Sequence, residues 1–311
     1  FRIGMQTLSG RIGPGAAGRA FTNLADAAMR TLSEAALEET VRQGGEFPGA
    51  VAVIALGKAG SQEMTAASDL DLMTVYTAPP EATSALKGWS ADMMYSRFTQ
   101  RLISALSAHT AEGGLYEVDM RLRPSGSKGP VSVRMAAFET YYETEAATWE
   151  FMALTRARVV WSSYAGFAAR ASTAIEAALR RRRPDVDIAA DVRSMRDLMR
   201  RERRASGFWD LKLSDGGLVD AEFVVSIISL SLPLRACPWR FRRPSNWLTS
   251  PNWHRPGGSS NSSVSGSPAR LMIAPFPRTK ATDSGSGWPP LWESLISPPW
   301  FPISEPCERR P

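Results

Sequence analysis

Ser68-Asp69-Leu70-Asp71-Leu72-Met73-Thr74-Val75-Tyr76 is the stretch that decides how this chain reads. Asp69 and Asp71 alternate with apolar residues, so on a strand both carboxylates leave the same face. Two acids placed this way repel each other unless a cation lies between them. Oxygen ligands of this kind suit Mg²⁺, which is commonly held by one or two carboxylates together with substrate phosphates. Immediately upstream, Val51-Ala-Val-Ile-Ala-Leu56 is an apolar run of strand length that enters the turn Gly57-Lys58-Ala59-Gly60-Ser61. A buried strand, a Gly-Ser turn and an Asp-x-Asp strand describe a place to hold a nucleoside triphosphate.

Downstream, Leu115-Tyr-Glu-Val-Asp119-Met-Arg121-Leu-Arg123-Pro124 alternates apolar and polar residues and predicts a third strand, with Asp119, Arg121 and Arg123 on one face. Asp119 completes a three-carboxylate constellation. Gly60 lets backbone approach a triphosphate without a Cβ clash, and the Ser61 hydroxyl and turn N–H groups suit phosphate oxygens. Two acids on one divalent cation, with a third sharing a second, supply the charge and the activated hydroxyl that phosphoryl-group chemistry needs. Lys58, Arg121, Arg123 and Lys128 offer cations for the phosphates; the bland alternative is that they balance nearby carboxylates. For the acid pair itself the alternative is a solvated edge strand beside a chance turn.

Around this centre the spacing predicts an amphipathic helix over 20–44, strands at 51–56 and 69–76, a helix near 89–109 and a turn at 125–130. Helices are expected over 135–180 and 187–204, an extended segment at 209–217, and another helix from Leu218. The fold class that follows is α+β: a mixed sheet flanked by helices, then the start of a helical bundle. Four segments result, an N-terminal helical segment (1–44), a core (45–130), a helical region (131–230) and a tail (231–311).

That tail holds 15 of the 22 prolines and 6 of the 10 tryptophans, without helical or strand periodicity. Flexible linkers are poor in Trp and folded domains rarely tolerate so much Pro. It reads as disordered and as an out-of-frame translation of a GC-rich gene, the alternative being a natural basic, Trp-rich binding tail. The tail also carries ten Lys/Arg against four Asp/Glu, which is the entire excess behind the net charge of +6. The remaining residues hold 27 basic and 27 acidic side chains, so a nucleic-acid-binding patch on the body is not supported. No apolar run approaches the roughly 18–20 residues of a membrane span. Cys237 and Cys307 lie far from the motifs and suggest neither a disulfide framework nor a zinc site. The chain opens Phe1-Arg2-Ile3 without Met, which reads as a fragment, and a reducing cytoplasm is the expected setting.

Taken together, Val53-Ile-Ala-Leu-Gly57-Lys58-Ala-Gly60, Ser68-Asp69-Leu-Asp71-Leu, Tyr116-Glu-Val-Asp119-Met-Arg121-Leu-Arg123-Pro124-Ser-Gly, Thr148-Trp149-Glu150 and Ala153-Leu-Thr-Arg156-Ala-Arg158 resemble the glutamine synthetase adenylyltransferase family. Trp209-Asp-Leu-Lys212-Leu and Gly216-Gly217-Leu-Val-Asp220-Ala-Glu222-Phe223 continue the resemblance, which covers roughly residues 1–228. It implies a nucleotidyltransferase fold and transfer of AMP from ATP to a tyrosine hydroxyl of glutamine synthetase, with release of pyrophosphate. The wording around Asp119 and Trp149 looks more like the adenylylating domain than the adenylyl-removing one. The removing domain, a PII uridylyltransferase and a non-catalytic fragment that binds glutamine synthetase or PII are the alternatives.

On the same resemblance Asp69, Asp71 and Asp119 are the catalytic and Mg²⁺-binding acids. Gly57, Lys58, Gly60, Ser61, Ser68, Arg121 and Arg123 are the nucleotide-binding residues, glutamine synthetase is the protein substrate and a PII signal protein the regulator. The family's Gly-Lys-Leu-Gly-Gly-Arg-Glu reads here Gly57-Lys-Ala-Gly60-Ser61-Gln62-Glu63, without the arginine.

Overall fold

The computed structural model describes residues 1–231 apart from 112, 182–185, 204 and 208. The expected tail, Ser231 excepted, lies outside the described residues. In chain order the elements are α1 (Arg2–Leu8), α2 (Pro14–Gly44), β1 (Ala50–Ala55), α3 (Gly57–Ser61), β2 (Leu70–Thr77), α4 (Ala91–Leu106), β3 (His109–Thr110), β4 (Gly113–Gly114) and β5 (Val118–Asp119). A 3₁₀ turn at Gly126–Lys128 leads to β6 (Ser132–Arg134), α5 (Met135–Thr144), α6 (Thr148–Leu154), β7 (Arg158–Ser162), α7 (Ala165–Arg180), α8 (Ile188–Glu202) and α9 (Leu218–Ser231).

Helix α2 starts at Pro14, where a missing N–H is harmless. It stops where the Gly45 N–H bonds the Val41 carbonyl at 2.7 Å. Ser90 caps α4 by accepting the Met93 N–H.

The main sheet is mixed, as the sequence predicts, in the order β5-β2-β1-β7. β1 pairs antiparallel with β2 and with β7. The far edge of β2 is shared by two short parallel partners: β5 takes Leu70 and Asp71, and β6 takes Thr74 to Tyr76. All six β1 residues are buried, which follows from helices on both faces of the sheet. Val51, Val53, Leu70 and Leu72 pack with Met29 of α2 and with Tyr95, Phe98 and Leu102 of α4. Ala52, Ile54, Met73 and Val75 face the other way, onto Phe138, Phe151, Leu154 and Phe167 of α5 to α7.

Three expectations need correction. The strand predicted over 115–124 shrinks to Val118–Asp119. The Asp119 carboxylate accepts the Arg121 backbone N–H at 2.7 Å, an Asx turn that bends the chain off the ladder. The helical stretch predicted over 135–180 is interrupted by β7, whose Val159-Val160-Trp161 favour a pleated, half-buried surface. The segment 209–217 is a series of turns rather than the expected extended segment entering a glycine turn. There Asp210 accepts backbone N–H groups of Ser206, Lys212 and Leu213, which offers the backbone an alternative to a ladder.

Candidate active site

The site forms where β1 runs into α3 and β2 begins. The Leu56 N–H donates to the Asp71 carbonyl at 2.9 Å, which fixes Asp71 opposite the turn. Gly57 takes φ +49°, and a methyl group built on it would overlap the Asp71 carboxylate. Only glycine meets both conditions at once. Across the other edge of β2, Asp71 is in register with Asp119 of β5, so the two side chains share a face. Asp69 is exposed and stands one residue before β2.

Electrostatics distinguishes the three acids. Burial pushes the Asp71 carboxyl up to about 6, and repulsion from Asp69 and Asp119 adds to it, while Arg156 and Arg121 pull it back. Asp119 goes the other way: the Arg121 guanidinium holds it below the usual carboxylate range, with Nε 2.8 Å from Oδ2. Asp71 therefore lies inside a concentration of negative charge that its neighbours only partly relieve. Among the described residues no group of three His, Cys, Asp or Glu side chains is drawn together as a metal cluster; Asp119 is turned onto Arg121 instead.

The predicted phosphate residues have different placements. Ser61 Oγ is within hydrogen-bond reach of the Gly57 carbonyl (3.1 Å) and Glu63 Oε2 (2.9 Å). Lys58 is half-buried in α3, and Arg121 lies at the surface. Ser68 is buried, and its hydroxyl accepts the Thr65 N–H at 2.9 Å, closing the turn that delivers Asp69. Arg123 is committed to loop carbonyls, those of Met120 (2.6 Å), Pro130 (2.9 Å) and Gly129 (3.1 Å). It fastens the 120–130 loop. Lys128 is exposed on that loop.

Four residues outside the predicted set support the turn. Arg158 of β7 makes a two-pronged ion pair with the buried Asp26 of α2, 2.8 Å at each oxygen, and donates to the Ala59 carbonyl at 2.9 Å. A Cβ on Gly60 would overlap the Arg156 carbonyl, so backbone from the α6–β7 connection lies directly behind the turn. The Arg156 side chain pairs with Glu222 of α9 at 2.7 Å. None of these pairings is local in sequence; Arg156, Arg158 and Glu222 stand in the motifs that carry the family resemblance, but spacing alone does not join them to their partners.

A groove of about 470 Å³, lined by Leu32, Ala36, Glu39, Arg97 and Arg101 among others, belongs to α2 and α4 and includes none of Asp69, Asp71 and Asp119. Asp69 and Asp71 lie instead at the start of β2, with Asp119 beside them on β5.

A family model described as glutamate-ammonia ligase adenylyltransferase matches residues 1–173. A Caulobacter vibrioides protein named bifunctional glutamine synthetase adenylyltransferase/adenylyl-removing enzyme is 62% identical over 232 residues, 74% of this chain and 24% of that protein. Proteins of the same name from Agrobacterium fabrum and Brucella suis are 44% identical over 238 residues and 45% identical over 244. They are covered to 24% and 25% of their lengths, against 76% and 78% of this chain. The chain thus spans about a quarter of the length of the curated relatives it matches. No helix among the described residues is long and apolar enough to cross a membrane.

Proposed function

The chain belongs to the glutamate-ammonia ligase adenylyltransferase family, a family of nucleotidyltransferase enzymes, and on that premise we propose that its β1–β2–β5 site transfers AMP from ATP to a tyrosine hydroxyl of glutamine synthetase. The observation that carries this reading is the fit of the Asp71 carboxylate against Gly57, with Asp119 in register beside it. It places acids and a close-approach backbone turn at one point.

The donor set fits Mg²⁺, because it is all oxygen and the repulsion of Asp69 and Asp119 on the half-buried Asp71 is only partly offset by Arg156 and Arg121. Asp69 and Asp71 are the residues that would hold the ion, with Asp119 joining once it leaves Arg121. When bound, the ion neutralises phosphate charge and favours the ionised form of an attacking hydroxyl. Gly57 and Gly60 let the turn close against the Asp71 carboxylate and the Arg156 carbonyl, and Ser61, Ser68, Lys58 and Arg121 complete the triphosphate's surroundings. Asp119 completes the metal site or helps withdraw the tyrosine proton, from a group whose ordinary pKa is about 10. The phenolate oxygen bonds the α-phosphorus, the bond to the β-phosphate breaks, and pyrophosphate leaves with the electron pair. A cytoplasmic setting and regulation by a PII signal protein are parts of the same proposal.

The test is incubation of the full chain with glutamine synthetase and ATP labelled at the α-phosphate. Label entering glutamine synthetase only with Mg²⁺, and lost in the Asp69→Asn/Asp71→Asn variant, supports adenylylation. Phosphate-dependent release from pre-labelled glutamine synthetase assigns the removing reaction instead. Transfer in neither direction overturns the enzymatic reading and leaves a non-catalytic binder.

A further inference from the structure

Arg156 reaches the site from two sides. Its carbonyl abuts Gly60, and its charge lowers the pKa of Asp71 against the upward push of burial. Its side chain is only 17% exposed, and among the described residues its ion pair is with Glu222 of α9, 66 positions later in the chain. The other arginines near the turn have partners of their own. Arg158 is spent on Asp26 and the Ala59 carbonyl, Arg123 on its loop, and Arg121 on Asp119. Arg156 is paired instead with Glu222, whose side chain is 33% exposed against 11% for Asp26, and it lies beside the turn where a phosphate would approach.

Guanidinium binds carboxylate and phosphate through the same planar fork, so one can replace the other. We propose that Arg156 is a ligand for the nucleotide phosphates and that Glu222 occupies it in competition with them, so that docking of α9 and binding of nucleotide oppose each other. The inference rests on the nucleotide-binding reading of the β1–α3 turn. Its consequence is a site that senses α9. A triphosphate that takes Arg156 releases Glu222, while the Asp220 contacts of α9 with Arg196 and Arg200 of α8 remain.

The experiment measures binding of a non-hydrolysable ATP analogue with Mg²⁺ to the full chain by calorimetry, each variant being first checked for folding by its melting transition. Arg156→Gln is expected to weaken binding by about ten- to a hundredfold, as loss of a charged hydrogen bond does, with Arg156→Lys in between. Glu222→Gln is expected to tighten binding severalfold, an outcome that a purely structural ion pair would not produce. Unchanged or weaker binding by Glu222→Gln overturns the competition. Unchanged binding by Arg156→Gln overturns the phosphate role, and if that variant does not fold, Arg156→Lys decides. A folded wild type that binds no analogue overturns the nucleotide reading itself, a result distinct from either of the others.

Discussion

The Asp71 carboxylate occupies the space that a side chain on Gly57 would need. Gly57→Ala therefore strains a backbone at φ +49° and displaces an acid of the site in the same stroke. Ala at a positive φ destabilises by more than about 1 kcal/mol, and transfer or analogue binding is expected to fall with it. Urea denaturation beside the labelling assay checks this; an unchanged midpoint would show that turn and carboxylate do not compete.

The raised Asp71 carboxyl makes stability depend on pH in a defined direction. Its value of about 6 lies above the ordinary 3.8, so the folded state favours the protonated form. This stabilisation is fully present below pH 3.8 and is lost as pH rises through about 6. Asp71→Asn is then expected to melt higher than wild type at pH 7.5, with the difference vanishing near pH 4. A thermal series across that range measures it, and an equal difference at both ends would rule out titration of Asp71 as the source.

Arg158 and Asp26 join α2, β7 and the turn in one ionic contact. Both side chains are largely buried, at 26% and 11% exposed. Removing one partner of such a pair leaves a charge without compensation, at about 3–5 kcal/mol when burial is complete and correspondingly less here. Asp26→Asn and Arg158→Gln are each expected to destabilise by about 1–3 kcal/mol, and the double variant by less than their sum. Chemical denaturation of the four proteins tests the coupling; simple additivity would mean that the two residues act separately.

Arg121 keeps Asp119 ionised to lower pH than an ordinary carboxylate. In an active protein, Arg121→Ala should move the acidic limb of the pH dependence of transfer upward, and on the proposed phosphate role of Arg121 total activity falls as well. A limb that stays in place would mean that Asp119 does not titrate in the rate-determining species.

The sequence carried the centre of this fold because the centre is made of long, regular signals. β1 is an uninterrupted apolar run and β2 an alternating one, and the Asp-x-Asp pair is read directly from that alternation. The edges were harder. β5 and β6 are two and three residues long, too short for a period to register, and β7 is a five-residue interruption between helices. Strand alternation placed Arg121 and Arg123 with Asp119 on one face, but the Asx turn at Asp119 ends the strand before either is reached. The pairs Asp26–Arg158 and Arg156–Glu222 are separated by 132 and 66 positions, and no local pattern links such partners.

The split edge of β2 has a mechanical meaning. Asp119 hangs on a ladder only two residues deep, while the next stretch of β2 is held separately by β6. Letting go of Asp119 thus leaves the β1–β2–β6 framework with its own hydrogen bonds. The acid that the proposed reaction asks to change partners is mounted on a detachable fitting, able to trade Arg121 for a new neighbour while the rest of the sheet stays still.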